Sequence, residues 1–453
     1  MHAADPCGIC TTLSLILWRF RRQVRLHRAT RFMQTGRQYI FDMRRGCTPP
    51  LHHPANIKNI YGGDKMSHPF IPLSVPNFEG NEEKYVNDAV KSTWVSTGGG
   101  YVTKFEEDVA AYVKMPRAVA TASGTAALHL ALVVAGVGMG DEVLVPTLTF
   151  IAAVNPVKYA NAQPIFVDCD DYLCIDPEKV RSFLSTNCEM VDGKTINKTT
   201  GAHVKAIMAV HVFGNLCQME ELMDIAKEYN LILIEDATEA LGTYCKEGRY
   251  AGKFAGTIGD IGCYSFNGNK IITTGGGGML VSNHEDWAAR AKHLSTQAKS
   301  DEVRFYHDEI GYNYRMTNLQ AALGVAQMEC LEKFIGVKER NYDFYVDAIH
   351  GKNGLEILPF RSDIRSNKWF YSVLLKDTQL STDDILKGMS EDKIQTRPIW
   401  ALISDLEPYK DCQRTDLSKA NYYFKRVVNI PCTTNLTLDD AKIVADRLLE
   451  ITK

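Results

Sequence analysis

From residue 67 onward, the pattern of apolar and polar positions switches repeatedly between the helical and the strand period. Apolar residues at helical spacing predict helices over residues 82–91, 104–113, 128–134 and 219–229. In the second of these helices, Phe105, Val109 and Val113 fall on one face. Short apolar runs predict strands over residues 142–145, 165–168, 204–212, 231–235, 261–266 and 278–281.

This alternation of short apolar strands with helices is typical of a mostly parallel sheet covered by helices on both faces. Near residue 319 the pattern changes to two long helices, predicted over residues 318–334 and 337–349. A mixed segment follows and ends in a helix over residues 438–451. We therefore expect an α/β protein with a large sheet domain over residues 67–320 and a smaller C-terminal α+β domain over residues 321–453. The length of 453 residues also favours two domains.

Composition and charge restrict the possible function classes. The chain has 45% hydrophobic and 23% charged residues, which is ordinary for a globular protein. Its formal net charge of −3 gives no reason to expect binding to nucleic acid. The charge is unevenly distributed, because residues 1–66 contain eleven basic and three acidic side chains, a net charge of +8 that leaves −11 for the rest.

The basic segment of residues 1–66 forms an N-terminal extension to the periodic part of the chain. We interpret it as an upstream continuation of the reading frame, either disordered or not translated, with Met66 as the functional start. An organelle transit peptide is the alternative, because such peptides are rich in arginine and poor in acids. The most apolar stretch, residues 11–18, is shorter than the ~20 residues that a bilayer-spanning helix needs, so we expect no membrane association.

The cysteines predict neither a metal site nor a redox motif. Only Cys7 and Cys10 among the twelve form a C-x-x-C pair, and neither a second pair nor a βαβ context accompanies it. We therefore expect a reducing, cytoplasmic location.

The first candidate site feature is the segment from Ser123 to Ala127, which joins a loop to an apolar helix. The N–H groups and the dipole of a helix N-terminus favour a bound phosphate. Gly124 permits close approach of the backbone, and Thr125 offers a hydroxyl donor. An ordinary N-cap residue explains the same segment, so this feature alone decides nothing.

Two further features follow predicted strands. Asp236 ends an apolar run, and ligands of open α/β sheets bind at the carboxyl ends of strands. A carboxylate there can pair with a protonated pyridine nitrogen or can cap the next helix. Lys270 lies in a polar loop of small residues, five positions after Ser265, where a neutral amine could form a Schiff base with an aldehyde. A solvated surface lysine is the alternative.

A fourth feature is the segment from Gly311 to Met316, which combines aromatic and amide side chains just before the predicted domain boundary. Such a cluster at a boundary indicates an interface, and a purely structural loop is the alternative.

Taken in order, these segments resemble the DegT-type nucleotide-sugar aminotransferases, a branch of the fold type I enzymes that depend on pyridoxal 5′-phosphate (PLP). The resemblance covers residues 67–453. It is carried by residues 94–98 with Phe105 and Glu106, 123–127, 146–150, 210–214, 235–237, 265–270 and 311–316. It implies the fold type I architecture, with a seven-stranded type of sheet in the large domain, and PLP as the cofactor. It gives no role to a metal ion.

The resemblance implies catalytic roles for three residues. Lys270 corresponds to the lysine that holds PLP as a Schiff base and moves the proton during transfer. Asp236 corresponds to the partner of the pyridine nitrogen. Glu239 lies where relatives carry Gln, His or Glu near the ring hydroxyl, and its role is left open.

The resemblance also implies five cofactor contacts. Phe150 corresponds to the aromatic residue that stacks on the ring. Gly124, Thr125 and Ser265 correspond to phosphate ligands. Asn313 corresponds to a residue that reaches the phosphate of the neighbouring subunit's cofactor, which implies a homodimer with shared active sites.

The segment from Asn267 to Thr274 narrows the expected substrate. It resembles enzymes that aminate C4 of a UDP-linked 4-keto-6-deoxy-N-acetylhexosamine, so we expect UDP-4-keto-6-deoxy-N-acetylglucosamine as the acceptor. The expected donor is L-glutamate, which leaves as 2-oxoglutarate. Relatives that act on GDP-4-keto-6-deoxymannose and make perosamine are the alternative. Sugar dehydratases of this family replace the lysine with histidine, so Lys270 favours transamination.

Two other functions remain open. One is a non-catalytic PLP-binding regulator or scaffold of the same fold. The other is a fold type I enzyme that acts on amino acids and needs an arginine clamp for two carboxylates. Arg315 and Arg397 are the candidates for that clamp.

Overall fold

Helices and strands alternate through most of residues 68–453, the part of the chain that the computed structural model describes. The helices are α1 Glu82–Lys91, α2 Gly100–Tyr112, α3 Gly124–Val134, α4 Asn155–Tyr159, α5 Pro177–Asn187, α6 Met219–Glu228, α7 Glu285–Ser295, α8 Asn318–Ile349, α9 Thr382–Glu391, α10 Ser418–Phe424 and α11 Leu438–Ile451. The strands are β1 Ala118–Thr121, β2 Asp141–Pro146, β3 Gln163–Val167, β4 Cys188–Val191, β5 Lys194–Asn197, β6 His203–Val210, β7 Ile232–Asp236, β8 Tyr244–Cys245, β9 Ile261–Ser265, β10 Gly278–Ser282, β11 Lys299–Asp301, β12 Tyr306–His307, β13 Leu355–Ile357, β14 Ile364–Arg365, β15 Tyr371–Leu375, β16 Arg397–Pro398 and β17 Val427–Ile430. The N-terminal extension, with Cys7, Cys10 and the expected start at Met66, lies outside the described residues.

The main sheet is mixed and mostly parallel, as the alternation of elements predicts. Seven strands follow one another in the order β1-β10-β9-β7-β6-β2-β3, and the hairpin β4-β5 adds two more beside β6. Strand β10 runs antiparallel to both of its neighbours, whereas β9, β7, β6, β2 and β3 pair in parallel. The residues of β2 and β7 are buried after their first position, because a parallel sheet is covered on both faces.

The register of the sheet brings the ends of three strands to one edge. Asp236, the last residue of β7, pairs with Cys263 of β9, two residues before that strand ends at Ser265. Across β10, Gly278 connects Ser265 to Thr121 at the end of β1. The carboxyl ends of β7, β9 and β1 therefore lie along one edge of the sheet, with β10 between β9 and β1. Open α/β sheets bind ligands at this edge.

The C-terminal part contains a second sheet of four antiparallel strands in the order β13-β15-β17-β16. Strands β15 and β17 are buried throughout, and helices α9 and α11 pack against each other beside them. One continuous set of buried apolar side chains includes residues of both sheets. The expected domain boundary at residues 320 and 321 falls in the first turn of α8, and the division into two domains remains a prediction.

Helix α8 corrects one expectation, because residues 318–349 form one helix where two were predicted with a break near residue 335. The added Cβ of an alanine at Gly336 would meet no atom within 4 Å, so this glycine marks an exposed position of the helix. A glycine there costs about 1 kcal/mol, which the burial of Phe334 and Ile335 outweighs. Among the described residues, no helix combines the length and apolar character that a membrane span requires.

Candidate active site

A cavity of about 370 Å³ lies at the carboxyl edge of the main sheet. Its lining includes seven of the residues that the sequence predicts for the site, namely Gly124, Thr125, Phe150, Asp236, Glu239, Ser265 and Lys270. Gly124 and Lys270, the first and the last of these residues in the chain, are 146 positions apart, and the fold brings them to one cavity.

The N-terminus of helix α3 forms one end of this cavity. Ser123 is the N-cap, and its hydroxyl accepts a hydrogen bond from the Ala126 N–H at 3.1 Å. The N–H groups of Gly124 and Thr125 belong to the first turn, where intrahelical acceptors are lacking. A Cβ at Gly124 would lie 2.8 Å from the Ser265 Cβ, so only glycine lets the helix end and strand β9 come this close. This cradle of N–H and hydroxyl donors fits a phosphate.

Asp236 lines the cavity from the end of β7. Its side chain is buried, with 3% exposure, and its Oδ1 accepts a hydrogen bond from the Thr238 N–H at 3.0 Å. Burial raises the pKa of Asp236, while the hydrogen bonds from Thr238 and the charge of Lys270 act in the opposite direction. A buried carboxylate in this setting gains from a cationic partner in the cavity, which is what a protonated pyridine nitrogen offers.

Lys270 and Glu239 face each other across the cavity. The Lys270 Nζ lies 3.5 Å from the Glu239 Oε1 and 4.0 Å from the centre of the Trp369 ring. The Glu239 Oε2 accepts a hydrogen bond from the Phe213 N–H at 2.8 Å. Burial raises the pKa of Glu239 to about 7, although the charge of Lys270 and the Phe213 hydrogen bond favour its ionised form. Glu239 is therefore able to change its protonation state near neutral pH.

Aromatic side chains form part of the cavity wall. Phe150, predicted from sequence, is 53% exposed, and its ring centre lies 6.5 Å from that of Trp400. Trp369, Phe370 and Trp400 also line the cavity, and none of the three was predicted from the sequence. They come from the C-terminal part of the chain, more than 95 residues after Lys270, where no local motif marks them. The pair of adjacent aromatic residues at 369 and 370, just before β15, was the available signal.

Asn313 lies outside the cavity of its own chain. It is exposed, and its backbone forms a bridge with Thr296. Its expected contact with the cofactor of a neighbouring subunit remains a prediction.

The two candidates for an arginine clamp, Arg315 and Arg397, make hydrogen bonds to other parts of the chain. Arg315 is buried and forms a bidentate ion pair with Glu106, with one N–O distance of 3.0 Å, while also donating to the Ala120 carbonyl at 3.2 Å. Arg397 is exposed on β16, and its guanidinium donates to the Thr396 carbonyl at 3.2 Å. Arg315 is thus committed to holding helix α2 against β1, which removes it as a ligand for a substrate carboxylate.

Comparisons with known proteins place this site in context. The sequence profile of the DegT/DnrJ/EryC1/StrS aminotransferase family matches residues 76–449. The GDP-perosamine synthase of Escherichia coli O157:H7 is 39% identical over 342 residues, which cover 76% of this chain and 88% of that protein. The UDP-4-amino-4,6-dideoxy-N-acetyl-beta-L-altrosamine transaminase of Campylobacter jejuni is 29% identical over 386 residues, covering 84% of this chain and 97% of that protein.

A solved structure supports the fold independently. The aminotransferase TlmJ from Streptoalloteichus hindustanus superposes with a TM-score of 0.75 at 23% identity, covering 84% of this chain and 98% of that one. Together with the family match, this superposition confirms the expected fold type I architecture.

Proposed function

Because the chain belongs to the DegT/DnrJ/EryC1/StrS aminotransferase family, we propose that it transfers an amino group from L-glutamate to C4 of a nucleotide-linked 4-keto-6-deoxy sugar. The family consists of PLP-dependent sugar aminotransferases, so PLP is the cofactor and the reaction class is transamination. The observation that carries the proposal is the meeting of Lys270, Asp236 and the N-terminus of α3 in one cavity. The active site of a PLP-dependent aminotransferase needs an amine, a carboxylate and a phosphate-binding group together.

The residues of the cavity divide the binding of the cofactor among them. The first turn of α3, with Gly124 and Thr125, and the hydroxyl of Ser265 would hold the phosphate. Asp236 would pair with the ring nitrogen and keep it protonated, since the buried carboxylate is stabilised by a nearby positive charge. Phe150 would cover a ring face. When bound, PLP supplies an electron sink that weakens the bond to the α-proton of an amino acid.

The proton movements of the reaction fall to Lys270 in this proposal. Its Nζ projects into the cavity, with its side chain 12% exposed, so it can take up a proton from one carbon and return it to another. Glu239, 3.5 Å away, orients this amine. Because the pKa of Glu239 is raised to about 7, the carboxyl can also lose or gain a proton as the charge of its neighbour changes.

Two nucleotide sugars are the acceptor candidates. The segment from Asn267 to Thr274 resembles that of enzymes acting on UDP-4-keto-6-deoxy-N-acetylglucosamine. The name of the E. coli relative, 39% identical, instead points to a GDP-linked sugar and hence to GDP-4-keto-6-deoxymannose. Both acceptors have a C4 ketone and a 6-deoxy group, so the site chemistry is the same for either and the nucleotide-binding side chains distinguish them.

The experiment that tests the proposal separates the two half-reactions. Purified protein with PLP is mixed with L-glutamate alone, and we expect loss of the visible absorbance of the bound cofactor together with release of 2-oxoglutarate. The UDP- and GDP-linked 4-keto sugars are then added separately, and mass spectrometry identifies the amino sugar formed. Protein that binds PLP yet shows no change with glutamate would instead support the non-catalytic regulator.

A further inference from the structure

The turn at residues 212–214 contains strained backbone next to the candidate active site. Phe213 has φ +57° and Gly214 has φ +89°, both in the left-handed region. A phenylalanine in this region costs of order 1 kcal/mol and persists only where its surroundings hold it. The turn uses this conformation to direct the Phe213 N–H at the Glu239 Oε2, 2.8 Å away. Strain here is therefore coupled to the orientation of a carboxylate in the cavity.

The buried segment that contains Asn367 holds this turn in place. Asn367 has 0% exposure and lies against Gly214, where an added Cβ would come within 1.9 Å of the Asn367 Oδ1. Its backbone N–H donates to the Thr243 hydroxyl at 3.0 Å, and that hydroxyl donates to the Gly214 carbonyl at 2.9 Å. The Ser366 hydroxyl donates to the same carbonyl at 2.7 Å. The left-handed turn is thus fixed from the segment that contains Asn367.

The amide of Asn367 also reaches the chain on both sides of the cavity. Its Nδ2 donates to the carbonyls of Glu239 at 3.0 Å and Leu241 at 2.9 Å. Its Oδ1 accepts from the Trp369 N–H at 3.1 Å. The Trp369 ring in turn lies 4.0 Å from the Lys270 Nζ, and its indole N–H donates to the Asn269 carbonyl at 2.7 Å.

We propose that Asn367 is a positioning residue that fixes Glu239 and Trp369 on two sides of the Lys270 amine. Its amide fixes the main chain of Glu239, and its backbone N–H supports, through Thr243, the turn that presents the Phe213 N–H to the Glu239 carboxylate. It sets Trp369 directly. The inference rests on the proposed function, because it assumes that Lys270 acts in this cavity. It adds a specific role for a residue of the C-terminal part that touches no reacting atom.

Loss of the Asn367 amide should leave the cavity assembled, with Glu239 and Trp369 positioned less accurately around the Lys270 amine. In Asn367→Ser, the Glu239 and Leu241 carbonyls lose their amide donor, so the Glu239 side chain shifts relative to the Phe213 N–H, and a displacement on the order of 1 Å costs up to about 100-fold in rate. We expect the first-order rate constant of the glutamate half-reaction at saturation to fall roughly 10- to 100-fold, with the KM for glutamate changed far less.

A second readout needs no turnover. In the cofactor-free full-length protein, a water-soluble amine reagent labels Lys270, and peptide mass spectrometry gives the rate of labelling from pH 5 to pH 9. Burial places the pKa of Glu239 at about 7, with Lys270 and Asp236 as the charged groups facing it, so the wild-type profile should inflect there. The Phe213 hydrogen bond lowers this pKa. Asn367→Ser frees the main chain of Glu239 and so weakens this bond, which should move the inflection upward by at least about half a pH unit.

Asn341→Ser is the matched control. Asn341 is also fully buried and donates its Nδ2 to the Leu436 carbonyl at 3.0 Å, but it lies on α8 and outside the cavity. We expect it to lower thermal stability while leaving the rate constant and the inflection unchanged. If Asn367→Ser cannot be obtained folded, Thr243→Val removes only the hydroxyl that links Asn367 to Gly214, and the same two readouts decide.

The outcomes separate this inference from the proposed function. If the wild-type protein shows no half-reaction with glutamate, the proposed function fails. If the wild type reacts and the variants retain both its rate constant and its inflection, the positioning role of Asn367 is wrong. A slower reaction with an unchanged inflection would show that Asn367 only stabilises the fold, and this result also overturns the inference.

Discussion

Lys270 derives its setting from side chains that lie far from it in the sequence. Glu239, three residues after the end of β7, lies 3.5 Å from the amine. Trp369, from the C-terminal part of the chain, covers the amine with its ring. A lysine in a polar loop has no distinguishing chemistry by itself. In this cavity it is 12% exposed and lies between a carboxylate and an indole ring.

Removal of this amine should abolish the reaction. In Lys270→Ala we expect loss of the visible absorbance of covalently held PLP and a fall in turnover of at least about 10²-fold, since positioned proton transfer contributes 10²–10⁴-fold. Absorbance spectra and the glutamate half-reaction measure both. Lys205→Ala is the matched control, because Lys205 is a partly exposed lysine that pairs with Asp141 at 3.3 Å outside the cavity. Retention of both signals in Lys270→Ala would contradict the assignment.

Glu239 should make the stability of the cofactor-free protein depend on pH. Its pKa is raised by burial from 4.5 to about 7, so between these values the native state holds more protons than the unfolded state. The free energy of unfolding must then fall as pH rises through this window. In Glu239→Gln the amide does not titrate, and we expect this part of the fall to disappear.

Urea unfolding of the cofactor-free protein at pH 5 and at pH 8 measures this difference. The control is Glu221→Gln, which changes an exposed acid on α6 and should preserve the wild-type dependence. An unchanged difference in Glu239→Gln would show that Glu239 is already ionised in the native state at pH 5.

Among the structural elements, the N-terminus of α3 depends on a glycine for its contact with β9. The contact between Gly124 and Ser265 leaves no room for a side chain, since an added Cβ would lie 2.8 Å from the Ser265 Cβ. In Gly124→Ala the helix end and β9 must separate, at a cost of about 1–3 kcal/mol. We expect the Kd of PLP to rise roughly tenfold or more, measured by titration of the cofactor-free protein.

Gly268→Ala is the control for this change, because it lies in the same loop as Lys270 and its added Cβ would meet no atom within 4 Å. It should leave the Kd of PLP near the wild-type value. Equal affinities of both variants and the wild type would mean that the phosphate does not bind at the end of α3.

The secondary structure was predicted correctly where a single hydrophobic period extends over a long segment. The helices over residues 82–91 and 438–451 have the predicted ends, since their apolar faces are regular. The four-residue strand β1, Ala118–Thr121, was missed because its small apolar residues merge with those of α3 without a change of period. Five of the seven predicted cavity residues followed from strand ends and local motifs, and Phe150 and Glu239 followed from the family resemblance. Trp369, Phe370 and Trp400 required the tertiary packing of the C-terminal part.

At the scale of the whole molecule, the main sheet accounts for one side of the site and the C-terminal part for the other. Asn313 belongs to neither side within its own chain, since it is exposed and outside the cavity. Its loop is nevertheless held firmly, because the Ala122 N–H donates to the Tyr314 carbonyl at 2.7 Å beside the segment that leads into Ser123. A loop that carries an exposed amide and is hydrogen-bonded to this segment can serve a second copy of the chain.

Complementation between two inactive variants tests whether such a copy completes the site. Lys270→Ala and Asn313→Ala each disable a different part, so a hybrid dimer would contain one intact site composed of the two unmutated residues. With random pairing, half of the dimers are hybrids, and activity should recover to about one quarter of the wild-type value after coexpression. Coexpression of Lys270→Ala with Lys270→Arg is the control, because no hybrid of these two has a catalytic lysine. If hybrids form by native mass spectrometry and activity does not recover, Asn313 acts only within its own chain; a monomer at working concentrations would exclude the shared site altogether.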